Sequence, residues 1–289
     1  MIKEKELHAM VALLDDPDKE VSSHVMEKII AEGPAIIPSL EKVWEDILEP
    51  NIQESIESLI HKIYFEVLLH DFAKWAETEP EDLLKGVLLL CKYQYPELDS
   101  AEIGNAIDVI KQDIWLEIGH QFTPLEQVNI FNNVFYKVHK LSGDIKNITD
   151  PQHFFINKLL ETKKGNPLSL GILYLLIAQL LKLPIYGVNL PNHFILCFSY
   201  EPVEDFNDKE TNKEQVAFYI NTYSNGIVFS NNEIQEFIKK LGIEESIDFF
   251  VPCTNSQVMK LLLQGLRSAY DITKQPENVE EIEQLIELM

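Results

Sequence analysis

Apolar residues recur at helical spacing through most of the chain. Between Lys5 and Leu14 they fall at Leu7, Met10, Val11 and Leu14, one face of an amphipathic helix. Asp15-Asp16-Pro17-Asp18 interrupts that face; Val21 to Ile30 forms a second, Gly33-Pro34 breaks it, and Ile36 to Leu48 forms a third. The same period predicts helices over 52–76, 81–94, 100–118 and 123–140. Two of these carry start signals. Glu81-Asp82 follows Pro80 and sets acids at a helix N-terminus, where the macrodipole favours them. Thr123-Pro124-Leu125-Glu126 reads as a cap, a first-turn proline and a capping-box glutamate.

The pattern then changes twice. Leu141 to Pro151, with Gly143 and Asp144, reads as a loop. Phe155 to Lys163 looks helical, and Asn166-Pro167 can cap and open a further helix. Beyond the cap, Leu168, Leu170, Ile172, Leu173, Leu175, Leu176 and Ile177 cover every face, which marks a buried core helix. After Pro184 the β-branched and aromatic residues cluster in short runs: 185–190, 193–200, 216–223 and 226–229. Ser224-Asn225-Gly226 is a hairpin turn, and Glu201 to Gln215, with six acids against two lysines, reads as a solvated loop. The four runs should form one antiparallel sheet packed on helix 168–182. Ser230-Asn231-Asn232-Glu233 opens a helix that Gly242 stops, and Asn255 to Ile272 and Glu277 to Leu288 close the chain as a helical pair.

The expected fold is therefore α+β and mostly helical, in three regions: helical 1–78, a core at 79–252 and the closing helices at 253–289. The Leu-Leu-Asp-Asp-Pro-Asp-Lys-Glu-Val turn between the first helices resembles a HEAT-type repeat; an ordinary helical bundle is the alternative, because a solenoid needs several stacked units.

Charge narrows the partners. The 24 basic and 47 acidic residues leave a net charge of −23, and Arg267 is the sole arginine. Such a surface repels phosphate backbones, so no nucleic-acid partner is expected. The longest apolar stretch, Leu168 to Leu183, holds Gln179 and Lys182 and is short for a membrane span, so none is expected. Three cysteines without a Cys-x-x-Cys, and charged opening residues, fit a cytoplasmic protein with reduced thiols. No metal-ligand spacing and no phosphate-binding glycine motif occurs, so no metal or cofactor is expected. His24, His61, His70, His120 and His139 lie on helical stretches without paired spacing and read as surface residues.

Three motifs in order stand out: Gly165-Asn166-Pro167-Leu168-Ser169-Leu170, then Gly187-Val188-Asn189-Leu190-Pro191-Asn192-His193-Phe194, then Tyr219-Ile220-Asn221-Thr222-Tyr223-Ser224-Asn225-Gly226. With Tyr95-Pro96-Glu97-Leu98-Asp99 before them, the stretch from Glu79 to Ser230 resembles the SirB-type transglutaminase-like family, and the closing helices resemble its rudimentary tetratricopeptide-like tail. The resemblance implies a transglutaminase-like core in which cysteine, histidine and aspartate cooperate. His193 matches the histidine. Asn221 stands where relatives carry the aspartate. An ungapped count places Pro167 at the cysteine position, with Ser169 two residues on as the other register.

The expected site is thus degenerate: His193, Asn221 and Ser169 at its centre, with Asn166, Pro167, Tyr186, Asn192 and Tyr223 as binding residues around it. Cys197 shares a strand face with His193 but sits amid Leu196 and Phe198, as a small apolar core residue would. Without the thiol, the expected function is non-catalytic: a binding or regulatory protein engaging a protein or peptide. The alternative is a hydrolase or acyltransferase using His193 as base with Ser169 or water. On the first reading His193 and Asn221 are expected to persist as a buried polar pair.

Overall fold

The computed structural model describes every residue except Met1, Lys3 and His120, and the backbone alone at Glu4. The expectation for His120 therefore lies outside the described residues. The chain divides into two compact units, Met1–Phe72 and Ala73–Met289.

The first unit is helical: α1 (Glu4–Ala12), α2 (Lys19–Ile30), α3 (Ile37–Asp46) and most of α4 (Pro50–Thr78). Asp18 ends the first polar break by capping α2, its Oδ1 accepting the Glu20 N–H at 2.9 Å. The apolar faces read from the sequence meet in one core, where Leu7, Val11, Ile29, Leu40, Ile56 and Leu59 are fully buried.

The second unit begins in the last turns of α4 and continues through α5 (Leu83–Gln94), α6 (Ser100–Glu117), α7 (Pro124–Asn132) and α8 (Ile156–Thr162). Thr123 and Glu126 form the expected reciprocal cap on α7. The helix expected over 123–140 changes winding at Asn133–Val138, which is a π-helix. That stretch sets Tyr136 so that its hydroxyl donates to the Thr222 carbonyl at 2.8 Å. The loop expected between Leu141 and Pro151 contains β1 (Ser142–Gly143), which pairs in parallel with β2 (Lys164–Gly165).

Helix α9 (Pro167–Leu180) is the core helix, with every residue from Ser169 to Ala178 buried. It packs on α6, α8 and the four-stranded sheet β3 (Ile185–Leu190), β4 (His193–Ser199), β5 (Val216–Asn221) and β6 (Ile227–Phe229). The strands are antiparallel in sequence order, in the register Gly187↔Leu196, Cys197↔Tyr219 and Asn221↔Ile227. The acidic segment expected to be a loop contains a helix, α10 (Lys209–Gln215), because Asp208 caps it by accepting the Thr211 N–H at 3.2 Å.

Side-chain alternation gives the sheet two coverings. Phe194 faces α9: a Cβ at Gly171 would lie 2.7 Å from its ring. Val188, Leu190, Ile195, Cys197 and Tyr219 face the other way, in a core with Ile234 and Ile238 of α11 (Asn231–Leu241). The closing pair, α12 (Asn255–Ile272) and α13 (Pro276–Glu287), packs together, and α12 also lies against α5 and α9. Tyr93 of α5 fastens α13, its hydroxyl donating to Glu281 and accepting from the Asn278 amide, both at 2.7 Å.

Candidate functional site

The start of α9 is built within a few residues. Lys163, in the left-handed region at φ 62°, ends α8, and Lys164–Gly165 pairs with β1 before the helix opens. Asn166 Oδ1 accepts the Ser169 N–H at 2.9 Å, and Ser169 Oγ accepts the Asn166 N–H at 3.1 Å. This reciprocal cap explains Gly165, since a Cβ there would lie 2.5 Å from Ser169 Oγ. Pro167 occupies the first helical position, where its missing N–H costs nothing.

Beside this helix start stands the tip of the β3–β4 hairpin, Pro191-Asn192, with Asn192 at φ 61°. His193 follows and is exposed. Its Nδ1 lies 3.1 Å from the Pro191 carbonyl oxygen, so that nitrogen carries the proton and donates. The ring meets Phe237 of α11 edge-on, with centroids 5.1 Å apart.

Two cavities meet at His193. One, of about 260 Å³, lies at the start of α9, with Asn166, Pro167, Leu168, Asn192 and Phe194 in its wall. The other, of about 340 Å³, runs under α11 and includes Asn221, Phe229, Glu233, Glu236 and Phe237. Leu190 and His193 belong to both, so the two form one groove around the histidine.

This arrangement gathers Asn166, Pro167, Asn192, His193 and Asn221 and leaves out the other three expected residues. Ser169 is buried, and its Oγ is held in the cap rather than offered to the histidine. Tyr186 turns aside, its hydroxyl accepting the Val203 N–H at 3.0 Å. Tyr223 packs its ring on Gly143, where no Cβ could fit.

The buried His193–Asn221 pair is not formed. The imidazole is exposed and bonded to Pro191, while Asn221 Oδ1 accepts the Ser224 N–H at 3.1 Å and closes the turn after β5. The physical reason is local: strand alternation sets both side chains on the face toward α11, but His193 lies at the exposed hairpin tip, where the Pro191 carbonyl holds its Nδ1, and Asn221 is taken by its own turn.

Neither groove-side chemistry nor charge activates a thiol. Burial pushes Cys253 up to about 11 and raises Cys197 further, so both stay protonated at neutral pH. In the loop after β1, Asp144 is held below the usual carboxylate range by the Asn147 amide, and it lies 3.3 Å from His153 Nε2. Among the described residues, no His, Cys, Asp and Glu side chains cluster in threes as a metal centre would require, and no helix is long and apolar enough to cross a membrane.

Several groove residues carried no local signal in the sequence. Ile148, Phe154 and Leu261 reach the start of α9 from segments far apart in the chain. Phe237 was legible only as one apolar position of α11.

Comparison with known proteins agrees with this architecture. UPF0162 proteins are similar over part of the chain. That of Xylella fastidiosa (strain Temecula1 / ATCC 700964) is 28% identical over 130 residues, covering 45% of this chain and 44% of the relative. That of Vibrio cholerae is 25% identical over 157 residues, covering 54% and 53%. The F-box only protein 21 of Pongo abelii is 25% identical over 193 residues, covering 56% of this chain and 31% of that protein. The matches thus span about half or less of these relatives' length. No solved structure gives a significant match. A family model described as the transglutaminase-like superfamily matches residues 101–264, more than half of the chain and the whole stretch from α6 through the groove to α12. The chain belongs to the transglutaminase-like superfamily.

Proposed function

We propose that this chain is a non-catalytic member of its superfamily, of the SirB type, and that the groove around His193 holds a segment of a protein or peptide partner. The observation that carries the reading is the residue at the start of α9. Where the resemblance calls for a cysteine at the positive end of the helix dipole, this chain has Pro167, which supplies neither a nucleophile nor an N–H, or in the other register Ser169. No other residue takes over. Ser169 is enclosed in the helix cap, Cys197 lies in the core, and half-buried Cys253 keeps its proton through burial as well.

His193 and Asn221 lack the relation a base needs. An imidazole acting as base wants a partner that steadies the imidazolium; Asn221 carries no charge and is engaged by Ser224. What remains is a groove with apolar walls and exposed polar groups at one rim, a combination suited to recognition. The proposed setting is a reducing, cytoplasmic one, a reading that three free thiols support. The closing pair α12–α13 serves as a tetratricopeptide-like tail, and the first unit as a HEAT-like helical module.

The test has two arms. Purified protein is assayed on a panel of ester and amide substrates beside His193→Ala, and a peptide array is screened by the same pair. The expected result is no histidine-dependent turnover, with peptide binding weakened by the substitution. Robust turnover lost in His193→Ala would overturn the reading.

A further inference from the structure

The end of the groove at α9 differs from the neighbouring cavity under α11. The chain carries 47 acidic residues, yet no Asp or Glu lines this cavity. Its polar members are the amides Asn166, Asn189 and Asn192 together with His193. The helix start adds the positive end of a dipole and the Leu168 N–H, which as a first-turn donor has no acceptor within the helix.

An independent observation comes from Asn166 itself. The residue is 1% exposed, stands in the wall of the cavity, and its Nδ2 has no hydrogen-bond partner. Its Oδ1 is fixed on the Ser169 N–H at 2.9 Å, so the amide cannot turn over to bring Nδ2 another neighbour without losing the cap. A buried donor left unpaired costs free energy, and a ligand oxygen placed there recovers it.

Apolar side chains complete the cavity: Phe154, Leu168, Phe194 and Leu261. Its volume of about 260 Å³ suits one residue of a ligand rather than a long segment. The neighbouring cavity under α11 differs, with Glu233 and Glu236 in its wall. An anionic end meets no carboxylate in the first cavity, whereas the second sets two carboxylates beside Lys240.

We infer that the groove takes the C-terminus of a peptide ending in an apolar residue, with its carboxylate at Asn166 Nδ2 and the start of α9. The last side chain sits among Phe154, Leu168 and Leu261. The preceding residues cross His193 toward α11, where Nε2 is left free by the Pro191 bond to Nδ1 and faces the peptide backbone. This inference rests on the peptide-binding reading above and specifies which part of the peptide is held.

The experiment uses the full chain and two probes, acetyl-Ala-Ala-Ala-Phe as the free acid and as the C-terminal amide. Binding is followed by calorimetry and by the His193 ring resonances. The variant is Asn166→Asp, which keeps an oxygen for the Ser169 N–H but removes the buried donor and adds a negative charge. The free acid is expected to bind at least about tenfold more tightly than the amide, a difference of about 1.4 kcal/mol. In Asn166→Asp that preference disappears while the thermal midpoint holds. Equal binding of acid and amide, a preference unchanged in the variant, or no perturbation of His193 by either probe would overturn the inference. The first two outcomes leave peptide binding itself intact; that broader reading falls only by the turnover and array tests.

Discussion

Replacing Gly171 by alanine sets two effects of opposite sign against each other. In an open helix the change would stabilise by about 1 kcal/mol, because glycine carries the larger backbone entropy loss. Here the added Cβ would lie 2.7 Å from both Cδ1 and Cε1 of Phe194 and 3.4 Å from Thr222 Oγ1. Carbon atoms prefer separations of about 3.5–4.0 Å, so the ring must retreat by roughly 1 Å. It has nowhere to go. On its other side a Cβ at Gly187 would already lie 3.0 Å from the same ring, so Phe194 fills the space that two glycines leave. Overpacking of this kind costs about 1–3 kcal/mol, and after the helix gain a net loss of about 1 kcal/mol is expected. Urea melts of Gly171→Ala should show a lower midpoint at unchanged slope. In a Phe194→Leu background the clash is relieved, and the same substitution should become neutral or stabilising. A double-mutant cycle reads this coupling directly. An equal loss in both backgrounds, or a raised midpoint in the first, would refute the packing argument.

Three further outcomes follow from the same structure. Tyr93→Phe removes a hydroxyl that donates to Glu281 and accepts from Asn278, and should lower stability by about 1–3 kcal/mol in denaturant melts; an unchanged midpoint would mean α13 is held by other contacts. Glu126 and Glu233 are held below the ordinary glutamate range by the backbone N–H and then the hydroxyl of their capping partners. Depressed carboxylates stabilise above their unfolded pKa and lose that contribution as pH falls through the folded value, so NMR titration should find both midpoints below 4.5, and Thr123→Ala or Ser230→Ala should raise them. Cys91 and Cys253 are both pushed up to about 11 by burial, so alkylation of the native protein should be slow at pH 8 and rise toward pH 11; fast labelling at neutral pH would show that the thiols are not enclosed.

Much of the core was legible because its signals are local. Asn166-Pro167 followed by an all-round apolar run gave α9, and β3 runs over the expected 185–190. The Thr123 and Ser230 capping boxes and the Gly242 stop lie where residue chemistry put them. What escaped depends on distance or on a few residues. The β1–β2 pair joins Ser142 to Lys164 through two residues each, too short for any periodic pattern. Helix α10 was hidden by composition: its acids suggested a solvated loop, although Asp208 supplied a cap signal. The environment of His193 was readable in part, since strand alternation already grouped it with Ile195 and Cys197. The walls contributed by Ile148, Phe154 and Leu261 were not, because only the folded chain brings them to one place.

The largely apolar α9 also governs how the protein is made. The helix is walled by α6 and α8, which precede it, and by β3, β4 and α12, which follow. Leu168 in its first turn closes against Gly265, deep in α12. During synthesis α9 therefore leaves the ribosome with half of its enclosure still unmade. At roughly 5–20 residues per second, the wait for α12 is on the order of ten seconds. Through that interval the stickiest surface of the chain depends on chaperones or on its earlier helices alone. Premature termination or a translational pause anywhere between β3 and α12 leaves that surface open, so cellular yield will follow the pace of translation through that stretch as well as the stability of the finished fold.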